Sequence, residues 1–194
     1  MEFNFSIGPE IRIKIDFGNL GRHAMPIPSR TAVKLAVLFF IFVSAVYSPA
    51  YAGPIHDAAK SGDVVKVKQL LEAGTDVDEK DAAFNTALHL ASANARLEVI
   101  RVLIENGSDI NAGNLTDRTP LHDAIWERHA NVVYILIEKG ADVNRLNEVG
   151  MSPLDAAAHM GVPEIAKMLK DAGAKCGTSH IYSTRCKEIE AQNE

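Results

Sequence analysis

Apolar and polar positions along this chain recur at a fixed interval. Thr86-Ala87-Leu88-His89-Leu90-Ala91 returns 33 residues later as Thr119-Pro120-Leu121-His122-Asp123-Ala124, and after another 33 as Ser152-Pro153-Leu154-Asp155-Ala156-Ala157. One step back lies Pro54-Ile55-His56-Asp57-Ala58-Ala59. A second block keeps the same phase: Leu70-Leu71-Glu72-Ala73-Gly74, Leu103-Ile104-Glu105-Asn106-Gly107, Leu136-Ile137-Glu138-Lys139-Gly140 and Leu169-Lys170-Asp171-Ala172-Gly173. Four in-phase copies of two blocks make repeats of one structural unit.

Each unit predicts two helices and a loop. Thr or Ser opens the first helix as a cap, and Pro fits its first turn, where a missing N–H costs nothing. A second apolar stretch such as Val99-Ile100-x-Val102-Leu103-Ile104 has helical spacing. The glycines at 74, 107, 140 and 173 stand where a helix end calls for a left-handed residue. A polar turn then leads to the next cap. One such unit cannot bury its apolar face alone, so stacking must supply the core.

Two further patterns precede the repeats. Leu35 to Tyr47 is apolar except for Ser44, short of the roughly 20 residues a membrane span needs. Arg30 and Lys34 lie before it, Pro49 after it, and Ala50-Tyr51-Ala52 closes it with small residues, the three parts of a secretory signal peptide in order. Cleavage is expected between Ala52 and Gly53, directly before the first repeat. An uncleaved segment anchored in the inner membrane is the alternative. Met25 begins a signal of ordinary length, so residues 25–52 are read as the signal and 1–24 as an extended or non-native segment. Within the latter, Glu10 to Phe17 alternates like a strand but shows no sequence partner.

The interval and the Thr-Pro-Leu-His-x-Ala pattern resemble the ankyrin-repeat family. The resemblance covers residues 53–175 and implies an all-α solenoid of four helix-turn-helix repeats, 53–85, 86–118, 119–151 and 152–175, with extended loops. The first and fourth copies read as caps. The former carries Lys60, Lys66 and Lys68, and the latter replaces apolar positions with Lys170 and Asp171. The resemblance also implies that His56, His89 and His122 are structural, hydrogen-bonding across adjacent loops. Asp155 takes their place in the last copy, where no following repeat is expected to use it.

Composition adds limits. The chain has 194 residues, 47% hydrophobic and 23% charged, with a net charge of -5, which excludes a disordered or polytopic membrane protein. Taking the five bases and three acids of residues 1–52 from the 20 and 25 of the whole chain leaves 15 and 22, so the mature chain carries -7 over 142 residues. An acidic balance does not suit a nucleic-acid binder. No phosphate loop, His-Glu-x-x-His or Gly-x-Ser-x-Gly is present, so no enzyme activity, metal or cofactor is expected. The recurring histidines cannot share a metal, because stacked helices lie about 8–10 Å apart and zinc needs ligands at about 2 Å. The only cysteines, Cys176 and Cys186, fall in the tail 176–194. A disulfide suits an exported chain, with free thiols or redox chemistry as alternatives. Asn114-Leu115-Thr116 is formally a glycosylation sequon.

The resemblance further implies protein binding through loop tips and the concave face of the first helices. At those positions stand Phe84, Leu115, Arg118, Val149 and Met151, then Trp126, Glu127, His159 and Met160. Family loops usually carry Gly two residues before the cap, kept here only at Gly150, with Phe84 and Asp117 at the other two sites. Trp126 is the only tryptophan and of a type enriched at binding hot spots, although it can also lie flat over a neighbouring helix. The expected protein is a monomeric, exported, non-catalytic binder, an adaptor or protective partner in a bacterial envelope, periplasmic or secreted. The alternatives are a secreted effector engaging host proteins and, remotely, a redox-active enzyme using the tail cysteines.

Overall fold

The computed structural model describes residues 2–7, 11–16 and 53–191; the expected signal peptide lies outside these. The chain divides into two units, Met1–Ser48 and Pro49–Glu194. In the first, β1 (Glu2–Ile7) and β2 (Ile11–Asp16) pair antiparallel, from Glu2 opposite Asp16 to Ile7 opposite Ile11. The alternating segment therefore has a partner, formed by the residues just before it.

The second unit is all-α. Its helix pairs are α1 (Pro54–Ser61) with α2 (Val64–Glu72), α3 (Ala87–Ala93) with α4 (Leu97–Glu105), α5 (Pro120–Trp126) with α6 (Ala130–Glu138), and α7 (Pro153–Met160) with α8 (Pro163–Asp171). A further helix, α9 (Ser183–Ala191), follows. The first helices stack in one row, α1–α3–α5–α7–α9. Ile55, Leu88, Leu121 and Leu154 line the row's interior, all fully or almost fully buried. The small Ala59, Ala91, Ala124 and Ala157 are buried among them. Among the described residues no helix is long and apolar enough to cross a membrane.

The second helices end as their glycines demand. Gly74, Gly107, Gly140 and Gly173 have φ between 84° and 90°, a region open to residues without a Cβ. The chain reversal lets the next N–H reach back to the helix: Thr75 to Leu70, Ser108 to Leu103, Ala141 to Leu136 and Ala174 to Leu169, at 2.9–3.0 Å. Polar turn residues then tie neighbouring units together. Asn111 Oδ1 accepts from the Asp142 N–H and Asn144 Oδ1 from the Lys175 N–H, each at 2.8 Å.

The histidines form the inter-repeat bonds expected of them. Nδ1 of His56, His89 and His122 accepts the cap N–H of Gly53, Thr86 and Thr119 at 3.0–3.2 Å. Nε2 must then carry the hydrogen, and it donates to the carbonyls of Asn85, Arg118 and Met151, 29 residues on. The imidazole thus caps its own helix and holds the next loop.

Asp155 corrects one expectation, because a following element does use it. Oδ2 accepts from its cap N–H at Ser152 (2.9 Å), from the Gly177 N–H (2.8 Å) and from Ser183 Oγ (3.1 Å). The element ahead offers donors where the repeats offer a carbonyl, so an acceptor replaces the imidazole. The tail is therefore built: α9 stacks on α7 where a fifth repeat would begin. Cys176 and Cys186 are disulfide-bonded, with Cα atoms 5.8 Å apart, and Cys186 is buried. Closing so short a loop contributes at most about 3 kcal/mol on the chain-entropy account.

Burial pulls the His122 imidazole down to about 4 from 6.5, and lowers His89 likewise. The folded state then refuses a proton that the unfolded chain accepts. Stability from His122 is full above pH 6.5 and is lost as pH falls towards 4. Burial pushes the Asp123 carboxyl up, which acts in the opposite sense, so only a comparison at constant Asp123 isolates the imidazole. Wild type and His122→Gln should be unfolded in urea at neutral pH and at a pH just above 4. The stability gap between them should shrink on acidification by on the order of 2–3 kcal/mol; a constant gap would mean that His122 titrates as it does in water.

Candidate functional site

Each loop is a tight hairpin fastened by one side chain. Asp81 Oδ1 accepts from the Ala83 and Asn85 N–H groups, Asn114 Oδ1 from Thr116 and Arg118, and Asn147 Oδ1 from Val149 and Met151. The three hairpins join side to side: the Leu115 N–H donates to the Ala83 carbonyl (2.9 Å) and the Glu148 N–H to Thr116 (3.0 Å). Asn114 is consumed in this fastening, and its Nδ2 also donates to Asn85 Oδ1. The sequon nitrogen is therefore engaged in the loop.

Rigid tips present apolar groups to solvent. Phe84 is 50% exposed, Leu115 65% and Val149 56%. Val65 and Tyr134, on the second helices, are exposed to a similar degree, but only the tip residues recur at one place in successive hairpins. Phe84 and Asp117 have φ of 61° and 54°, and Gly150 in the equivalent place 72°. The loop geometry asks for a left-handed residue at this position. Asp tolerates that region, whereas for a bulky aromatic it is strained. Lys80 Nζ lies 5.7 Å from the Phe84 ring centroid, within cation–π reach.

An aromatic row runs across the last units, from the end of α5 to the start of α9. The Trp126 and His159 rings meet edge to face at 5.7 Å, and the His159 and Tyr182 rings at 5.1 Å. The Arg118 guanidinium lies over the indole, 5.6 Å from its centroid, and pairs with Asp123. Trp126 is half-buried rather than fully solvent-facing, and among the described residues its buried Nε1 finds no acceptor, nor does Arg118 Nε. Glu127 and His159 are exposed, and Met160 is half-buried.

Met151 departs from expectation: it is 2% exposed and cannot contribute to an open surface. The tail crosses beside it, with the N–H groups of Thr178 and Ser179 both donating to the Gly150 carbonyl at 2.9 and 3.0 Å. Asn85 and Arg118, its equivalents in the earlier loops, stay half-buried. The sites therefore separate into two groups. Phe84, Leu115 and Val149 mark the hairpin tips, while Arg118, Trp126 and His159 form the aromatic row. Tyr182 completes the row but escaped sequence reasoning, because it lies beyond the repeat period and only α9 brings it back. Ile181, 80% exposed next to it, was missed for the same reason.

Comparison with known families agrees with this geometry. Residues 55–147 match a family model described as ankyrin repeats, in three copies. The match runs from the first helix of the first unit into the third hairpin; α7, α8 and the disulfide-tied α9 follow it.

If Phe84 is held against its backbone preference, removing the Cβ should release strain of about 1 kcal/mol or somewhat more. Phe84→Gly is expected to raise the urea midpoint, and Phe84→Ala, which keeps the Cβ, is not. A Phe84→Gly protein less stable than wild type would show instead that the ring contributes packing greater than the strain.

Proposed function

We propose that this chain, whose ankyrin repeats indicate protein–protein interaction, is an exported, non-catalytic binding protein that docks its partner on the hairpin tips. The observation that carries the reading is the exposed apolar series Phe84, Leu115 and Val149 on hairpins hydrogen-bonded to one another. Rigid apolar groups lose little entropy on docking, and contiguous exposed apolar surface marks interaction sites.

Charge narrows the partner. The segments that join the helix pairs, turn and hairpin together, carry the acids Asp76, Asp78, Glu79, Asp81, Asp109, Asp117, Asp142 and Glu148, against the bases Lys80, Arg118 and Arg145. Arg118 is already paired with Asp123. A partner with an apolar centre and a basic rim complements this surface, and its approach is steered by the field at low salt. The segment Arg30 to Ala52 with its small-residue site supports a periplasmic or secreted location, and a non-catalytic binder placed there would act as an adaptor or protective partner. The disulfide suits an oxidising compartment.

Cross-linked capture from a periplasmic fraction tests both parts. The triple variant Phe84→Ser, Leu115→Ser, Val149→Ser should keep wild-type helicity and melting while partner recovery falls at least about tenfold, since hot-spot residues are each worth ~2 kcal/mol. Recovery should also fall with added salt. Equal capture by the triple variant would remove the tips from the interface, and recovery of the wild-type protein from the cytoplasm alone would refute export.

A further inference from the structure

Three side chains distant in sequence meet beneath the cap helix. A carboxylate oxygen of Asp155 and the sulfurs of Cys176 and Cys186 all lie within 4.8 Å of one another. Asp155 is 0% exposed, and its two oxygens are treated differently. Oδ2 is held by three donors, from Ser152, Gly177 and Ser183. Oδ1 is buried with no donor among the described residues. The disulfide sulfurs close to the carboxylate carry no hydrogen to donate, and an unpaired buried acceptor is unfavourable.

One oxygen fixed and the other bare is how an oriented carboxylate metal ligand is supported by its surroundings. Two thiolates with one carboxylate suit a borderline-soft divalent ion of the zinc class. The same set is unsuited to calcium or magnesium, which require oxygen ligands throughout. We propose that in the reduced protein Asp155, Cys176 and Cys186 form a zinc-class metal site, so that metal and disulfide are alternative closures of the same cap. A dithiol reductant passes two electrons and two protons to the bridge and becomes a disulfide itself, leaving two cysteine thiols. The ion then displaces both thiol protons to solvent, forming two metal–sulfur bonds and one bond to Asp155 Oδ1. Water takes the remaining tetrahedral position. Either closure keeps α9 over α7, one by a covalent link and the other by shared coordination.

The full chain, reduced with a phosphine and freed of excess reductant, should be titrated with Zn2+ and with Co2+ beside the oxidised protein. Reduced wild type should bind one Zn2+ per chain, and Co2+ should develop the absorption of a tetrahedral thiolate site. The oxidised protein should bind neither. Cys176→Ser, at a half-buried position before the helix, should abolish uptake, and Asp155→Asn should weaken it at least about tenfold with both thiols still free to react. Melting supplies a readout that survives a loosened tail: Zn2+ should raise the midpoint of reduced wild type but not of Cys176→Ser. Reduced protein that takes up no zinc would overturn the site. So would uptake undiminished in Cys176→Ser or in Asp155→Asn, the latter showing that the carboxylate only braces the tail.

Discussion

The fold rests on a hydrogen bond that no unit can complete alone. The imidazole at the third position of a first helix accepts from its own cap and gives its remaining hydrogen to a carbonyl 29 residues further on. The imidazole is buried and the carbonyl it reaches belongs to a half-buried residue of the next loop, so a unit without its neighbour loses this bond. An ordinary bond of this kind is worth on the order of 1 kcal/mol net, and a buried donor left unmatched costs about 1–3 kcal/mol. Apolar burial between units adds to it, because Leu88 and Leu121 are covered only when the units stack. The two effects together make each repeat's stability depend on the next.

Such a chain of dependence needs an end, and Asp155 supplies it. The last unit faces a loop that returns as backbone N–H and hydroxyl instead of carbonyl, and a carboxylate matches that reversed polarity. The disulfide then holds α9 where another first helix would stack. Stability concentrated in the row frees the hairpin tips from packing duties. Those tips carry exposed apolar groups and, at Phe84, a backbone conformation that aromatic residues avoid. Strain and exposure are tolerable there because the hairpins are fastened from below by Asp81, Asn114 and Asn147.

Much of this was legible in the sequence, for a physical reason. A repeated unit repeats its constraints, so the glycines at 74, 107, 140 and 173 and the histidines at 56, 89 and 122 announce their roles through period and type. Reading failed where the period ends. Asp155 looked like a vacant substitution because the groups it binds, Gly177 and Ser183, lie outside the repeat. Met151 looked exposed because the tail that passes beside it has no counterpart in earlier loops. Trp126 occupies a position filled by Ala93 and His159 in neighbouring units. Its half-burial depends on Arg118 and His159, a contact between units that no single period encodes. The strand partner of Ile11–Asp16 is Glu2–Ile7, where Phe3, Phe5 and Ile7 alternate with polar residues outside the repeat period.

The end of the stack turns on polarity at position 155, and one substitution tests it directly. Asp155→His restores the residue that the other three units carry, so reasoning from the repeat alone expects a gain in stability. The structure predicts the reverse, because an Nε2–H would meet the Gly177 N–H, setting two donors face to face where Asp155 Oδ2 now accepts. Urea unfolding of the oxidised variant should show a loss of about 1–3 kcal/mol, with faster amide exchange across Gly177 to Cys186 than in wild type. An Asp155→His protein as stable as wild type, with that segment equally protected, would contradict it.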